Sequence, residues 1–174
     1  MERCAVLLRG INVGRGNRLA MADLRSCLTT IGCTQVSTYL NSGNALVTAD
    51  PIGLAERVAA ALPLALRVVV FTAQELAGVV AQCPWRQHAD AAPKQVHVAY
   101  LERLPSADRL AALGTRYGDD ELAVGPRVLY LSYAGSSHDS DLTKALATAD
   151  LGVSVTTRNW ATGLKLLKLL ELSG

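Results

Sequence analysis

What most constrains this chain is a repeated order of short apolar runs and amphipathic segments. Residues 4 to 9, CAVLLR, form a continuous apolar run of strand length, and the Gly- and Asn-rich stretch from Gly10 to Asn17 ends it. Met21, Leu24, Cys27, Leu28 and Ile31 then recur at helical spacing, with Gly32 where a helix C-terminal glycine belongs. Val36 to Asn41 and Asn44 to Thr48 read as two strands, and the Ser42-Gly43 pair between them has the spacing of a tight hairpin. Asp50 as N-cap and Pro51 in the first turn open a helix that runs to Leu62. Arg67 to Phe71 is a fourth strand, and Thr72 with Glu75 makes a capping box for a helix from Ala73 to about Gln82.

The segment from Cys83 to Pro93 breaks the pattern with two prolines and polar residues, and reads as a linker. After it come a strand Gln95 to Leu101, a helix Ser106 to Tyr117, and strands Glu121 to Val124 and Val128 to Tyr133 around Gly125-Pro126. A helix Asp141 to Ala149, a strand Val153 to Thr157 and a last helix Trp160 to Leu172 complete the set. Corresponding elements lie roughly 83 to 92 residues apart, the fixed-period mark of an internal repeat. The expected fold class is α+β: two tandem ferredoxin-like modules, each β-α-β-β-α-β plus a closing helix. The first module spans 1–83, the linker 84–93, and the second module with the C-terminal helix 94–174.

Half of the 174 residues are apolar and 18% are charged, which suits a globular core rather than disorder. A net charge of +2 gives no global field for a polyanion. The apolar run near the start is too short for a signal or a membrane span, so a cytoplasmic protein with no membrane partner is expected. Cys4, Cys27, Cys33 and Cys83 show no metal-ligand or disulfide spacing, and His88, His97 and His138 are scattered. Buried free thiols, no metal and no cofactor are expected. Ser140 or Asp141 as a helix N-cap accounts for His138 to Asp141 more simply than a cation would.

Three polar segments are too dense in Gly, Asn and Arg to be plain connections. Leu8 to Arg18 carries glycines that let backbone N–H groups converge and three arginines, as an anion cradle requires, although its spacing is neither a dinucleotide nor a P-loop motif. Tyr39 to Asn44 is explained largely by turn geometry, and no elbow or triad spacing surrounds Ser42. Thr156 to Trp160 joins the last strand to the last helix. There Thr157 or Asn159 can cap the helix, and Arg158 offers a cation at its start.

Leu7 to Gly14, Tyr39 to Asn44 and Thr157-Arg158-Asn159-Trp160 together resemble the domain of unknown function 1697 family. The likeness extends to Met21 with Leu24-Arg25, Pro93-Lys94 with His97-Val98, and Thr157 to Leu166. It implies a soluble bacterial protein with an α+β fold of two subdomains, and it carries no catalytic assignment. Two positions depart from the family's usual pattern: Asn41 where Gln commonly precedes Ser-Gly-Asn, and Cys83-Pro84-Trp85 where an Asn-Pro-Phe-like stretch is frequent.

The leading expectation is binding of a small anionic ligand, phosphorylated or carboxylated, by Arg9, Asn12, Asn41, Ser42, Asn44, Arg158 and Asn159, with no reaction assigned. The loop after the first strand and the hairpin turn are expected at opposite ends of their sheet, so one pocket needs module contact or a bulged loop. Single-stranded nucleic-acid binding ranks second, Tyr130 and Tyr133 being the only strand aromatics comparable to a base-stacking pair. A homo-oligomer formed through the leucine-rich last helix, with Leu166 and Leu170 in its apolar face, is the third reading.

Overall fold

The computed structural model describes residues 1–12 and 16–172. Its contacts divide the chain into two units, Met1–Ala77 with Lys165–Gly174, and Gly78–Leu164. Within the first lie β1 (Glu2–Leu8), α1 (Met21–Thr30), β2 (Thr34–Tyr39), β3 (Asn44–Ala49), α2 (Leu54–Ala61) and β4 (Val68–Thr72). α3 (Ala73–Ala81) follows β4 directly. Within the second lie α4 (Arg86–Ala91), β5 (Val96–Leu101), α5 (Ala107–Ala111), β6 (Arg116–Tyr117), β7 (Asp120–Gly125), β8 (Val128–Ser132), α6 (Asp141–Thr148) and β9 (Val155–Asn159). α7 (Trp160–Leu172) starts in the second unit and from Lys165 onward belongs to the first.

The first sheet has the order β2-β3-β1-β4, and each neighbouring pair is antiparallel. β1 is central, and Cys4 through Leu8 are all fully buried, as an unbroken apolar run demands. Cys4, Val6 and Leu8 pack with Ala45, Val47 and Val68, and with Leu24 and Leu28 of α1 and Leu54 and Val58 of α2. Side chains of the alternate set, Ala5, Leu7, Leu46, Val69 and Phe71, are buried as well. At about 1.5–3 kcal/mol per large apolar side chain, this central strand and its neighbours dominate the unit's stability.

The second sheet has the order β6-β7-β8-β5-β9, antiparallel throughout. Ala99, Leu101, Leu129 and Leu131 form a core with Leu122, Leu142 and Leu151. Val96, Val98, Tyr100, Val128 and Tyr130 alternate with them and are also buried.

Local signals in the sequence are realised closely where they are strongest. α1 ends in a Schellman arrangement: Gly32 is left-handed (φ 90°), its N–H donates to Thr29 O at 3.0 Å, and the Cys33 N–H donates to Leu28 O at 3.0 Å. The Thr72–Glu75 capping box closes both ways, Thr72 N–H to Glu75 Oε2 at 2.8 Å and Glu75 N–H to Thr72 Oγ1 at 3.1 Å. Ser140 caps α6 by accepting from the Thr143 N–H and donates to Asp120 Oδ2 at 2.5 Å.

Other expectations need correction. The hairpin turn between β2 and β3 is four residues, 40–43, not two, and places Leu40 (φ 57°) and Gly43 (φ 79°) in the left-handed region. α2 starts at Leu54 after a left-handed Gly53, because Asp50 Oδ1 accepts from the Ile52 N–H in a local turn instead of capping the helix. α5 stops at Ala111, and the last two residues of that predicted helix, Arg116 and Tyr117, form the short strand β6 beside β7. The last strand begins at Val155 rather than Val153. The stretch read as a linker contains α4, whose six residues are too few for a periodic signal.

Candidate functional site

In the first sheet Leu7 of β1 stands opposite Asn44 of β3, and Leu8 opposite Val68 of β4. The C-terminal end of β1, the β2–β3 turn and the start of β4 therefore share one end of the sheet. The expectation that the loop and the turn lie at opposite ends is wrong. β1 and β2 run the same way, since each is antiparallel to β3 between them, so both strands finish at that end.

The β1–α1 loop is tied to the turn there. Asn12 is left-handed (φ 55°), and its carboxamide nitrogen donates to Asn41 O at 2.8 Å and to Leu19 O at 2.9 Å. Its Oδ1 accepts from the Leu19 N–H at 3.0 Å. Leu8 N–H donates to Gly43 O at 2.8 Å. A Cβ on Gly43 would stand 2.7 Å from Leu8 Cβ and 2.9 Å from Ile11 Cδ1, so only glycine lets the turn seat this closely. Asn44 is fully buried, and its amide donates to Tyr39 O at 2.9 Å and to Ser42 Oγ at 3.1 Å. Asn12 and Asn44 thus fasten the scaffold, whereas Asn41 and Ser42 keep exposed side chains at the turn's tip.

Arg9 is exposed, and its backbone N–H donates to Arg67 O at 3.1 Å, extending the β1–β4 register by one step. Arg67, also exposed, consequently stands directly opposite Arg9. Neither guanidinium forms an ion pair among the described residues. Like charges directly opposite on a sheet repel, and an anion between them relieves that repulsion. Arg18, exposed, precedes the Leu19 that Asn12 holds. Asp23 lies in the first turn of α1, and Arg25 of the same helix donates from Nη1 to Thr38 Oγ1 of β2 at 2.8 Å. Glu2, Asp50 and Glu75 belong to the other end, where β1 starts and β3 and β4 finish. Sequence reading missed Arg67, because its pairing with Arg9 is set by strand register and leaves no local motif. Arg15, counted among the arginines of the loop, lies outside the described residues.

The second unit holds the remaining candidates. Arg158 in β9 stands opposite Val98 and is half-buried; it donates from Nη1 to Thr156 Oγ1 at 2.8 Å and to Thr157 O at 2.9 Å. Burial lowers its pKa to about 10, opposed by nearby Tyr100, so it remains a cation at neutral pH. Asn159 is the residue before α7, and its Oδ1 accepts from the Thr162 N–H at 2.9 Å as a helix cap does. Trp160 is buried, and its Nε1–H donates to Asp90 Oδ1 at 2.9 Å. Arg86 grips the other oxygen of Asp90 at 2.7 Å and lies 5.7 Å over the Trp160 ring. The Trp of the Thr-Arg-Asn-Trp motif is thereby accounted for by packing.

Two alternative sites lose their basis. Tyr130 is buried, its hydroxyl donating to Val79 O at 2.8 Å. Tyr133 is buried against Thr143 and in edge contact with His97, so neither ring offers a face on which a base could stack. Leu166 and Leu170 of α7 are buried within the chain, which leaves exposed Leu172 at its end. Among the described residues no group of His, Cys, Asp and Glu is arranged to hold a metal ion, and no helix is long and apolar enough to cross a membrane. Cys4, Cys33 and Cys83 are free and buried, and Cys27 is free and half-buried.

The fold has a solved counterpart. A structure of the conserved bacterial protein SP0830 from Streptococcus pneumoniae aligns with a TM-score of 0.81 at 24% identity, covering 98% of this chain and 99% of that one. At this identity the likeness concerns the fold. Comparison with curated proteins gives no match. The family model described as protein of unknown function (DUF1697) matches residues 1–130, three quarters of the sequence. The chain belongs to the DUF1697 family.

Proposed function

We propose that the protein binds a small anionic ligand, phosphorylated or carboxylated, at the end of the first sheet where β1 finishes. The observation that carries this is the Arg9–Arg67 pair: two exposed arginines directly opposite each other in the strand register, with no ion pair among the described residues. Asn12, Asn41, Ser42 and Asn44 contribute by holding the loop and turn beside that pair. Arg158 and Asn159 of the second unit are proposed as an anion-binding position of that unit alone, to be tested separately, and both side chains already have bonds within it.

We read the architecture as two ferredoxin-like modules with closing helices, 1–83 and 94–174 joined by 84–93, and as an internal repeat. Its support is that in each sheet the first strand sits between the third and fourth and the second strand lies beyond the third, β6 being an addition to the second sheet. A cytoplasmic location suits the absence of a membrane-length apolar helix among the described residues.

The test is a thermal-shift titration with phosphate, sulfate, acetate and nucleotides at low ionic strength. Saturable stabilisation lost in Arg9→Ala and in Arg67→Ala supports the site. Binding unchanged in both variants, or no stabilisation by any anion, removes it.

A further inference from the structure

We infer that His97 and His138 form an acid-sensitive latch in the second unit: as both rings become charged, the 134–140 segment lets go of the sheet while the strands beneath it stay paired. His97 lies on β5, opposite Leu131 of β8 and Asn159 of β9, and alternation along the strand puts it on the face of Ala99 and Leu101. Its ring meets the buried Tyr133 edge-on, with centroids 5.1 Å apart and an interplanar angle of 67°. From Tyr133 a chain of contacts leads into the segment. Thr143 Oγ1 of α6 lies 3.0 Å from the Tyr133 hydroxyl oxygen and donates to Ser137 O at 2.6 Å. Asp120 of β7 holds both ends: its Oδ1 accepts from the Ala134 N–H at 2.8 Å, and its Oδ2 from the Ser140 hydroxyl at 2.5 Å. Between those ties Gly135, Ser136, His138 and Asp139 are exposed.

The groups around His97 offer a proton little compensation. Leu131 and Asn159, its neighbours across the strands, are uncharged, and among the described residues His97 forms no ion pair. Asp120 is engaged by Ser140 and Ala134, Asp141 pairs with Lys144, and Asp139 acts on that same lysine. The charge that reaches the His97 ring is that of His138, and it repels. Burial first, and this repulsion last, hold His97 below the ordinary histidine value against a backbone contact with Lys94 that favours the charged form. The neutral ring therefore stabilises the closed arrangement in full above about pH 6.5, and that contribution falls as the pH drops from there toward the lower folded value. A charged His97 needs water, and the cover that yields is the segment carrying the like charge. Residues 134–140 belong to no strand or helix, whereas β5, β7 and β8 are joined in one sheet.

Amide hydrogen exchange followed by NMR, corrected for its intrinsic pH dependence, separates local release from unfolding. The Ala134 and Thr143 N–H groups report the ties to Asp120 and Ser140, and the Leu101 N–H, bonded to Arg127 O, reports the sheet. Between about pH 7.5 and pH 5, Ala134 and Thr143 are expected to lose about tenfold protection or more, and Leu101 less than about twofold. The loss should shrink to less than about threefold in His97→Gln and be intermediate in His138→Gln, while Asp120 is present in both variants and controls for its own protonation. In wild type the His97 ring signals should titrate with the midpoint of the Ala134 loss. If His97→Gln does not fold, exposed His138→Gln and the ring midpoint decide. Loss that persists undiminished in the variants, loss shared equally by Leu101, no loss at all, or a midpoint apart from that of the His97 ring overturns the latch.

Discussion

The carboxamide of Asn12 donates to the backbone oxygen of Asn41 at 2.8 Å, which ties the segment just after β1 to the β2–β3 turn. Two further bonds join the same side chain to Leu19, and its φ of 55° suits Asn and few other residues. Asn12→Ala is expected to lower stability by about 1–3 kcal/mol, several partly exposed hydrogen bonds being lost together. Asn12→Gly should cost less than Asn12→Ala, because it removes the same bonds but accepts the left-handed backbone. Urea denaturation of the three proteins measures both; equal values for Ala and wild type would show that the clamp contributes nothing.

Gly43 and Gly10 separate steric from conformational effects. Both have positive φ, 79° and 70°, but a Cβ on Gly10 meets nothing within 4 Å while one on Gly43 collides with Leu8 and Ile11. Gly10→Ala is expected to cost about 1–2 kcal/mol from the left-handed backbone alone. Gly43→Ala adds an overpacking cost of about 1–3 kcal/mol. The order of the two melting temperatures is the check, and Gly43→Ala should be the lower.

Removing one arginine of the Arg9–Arg67 pair is expected to stabilise the free protein slightly, by about 0.2–1 kcal/mol, since like charges face each other across the strands. The gain should shrink as salt is raised and should be absent from the double variant measured against either single one. A loss of stability in Arg67→Ala at low salt would mean that the guanidinium groups do not repel.

Part of the acid sensitivity is expected to come from Asp90. Hydrogen bonds from Trp160 and then Arg86 hold its carboxyl below the usual range. A carboxyl depressed in the folded state contributes stability that is present above its unfolded pKa of about 3.9 and is lost as pH falls through the lower folded value. Asp90→Asn keeps an acceptor for Trp160 and removes the charge facing Arg86. The variant's melting temperature should therefore fall less steeply than wild type on acidification below about pH 4, with Trp fluorescence following the same transition. Parallel slopes would argue against the coupling.

Thiol reactivity should rank by burial. Burial pushes Cys4 up to about 11 and raises Cys33 and Cys83 above their ordinary value, while Cys27 is half-buried. An aromatic disulfide reagent at about pH 8 is expected to titrate Cys27 first, and Cys4 and Cys33 only at the rate of unfolding. Immediate reaction of all four would contradict the buried placement.

Features that depend on neighbours a few positions apart were legible in the residues alone. The apolar run through β1, the Thr72–Glu75 box, the Gly32 stop and the Ser140 cap are interactions within one helical turn or one strand face, so periodicity and capping chemistry disclose them. Short α4 and two-residue β6 escaped because neither is long enough to show a period. No local pattern announces that Arg67 stands opposite Arg9, that Asn12 reaches Asn41, or that Asp90 holds Trp160 of the last motif. These partners are remote in the chain and meet through strand register and helix docking, where one residue of slip would turn every side chain to the other face and dissolve the pair.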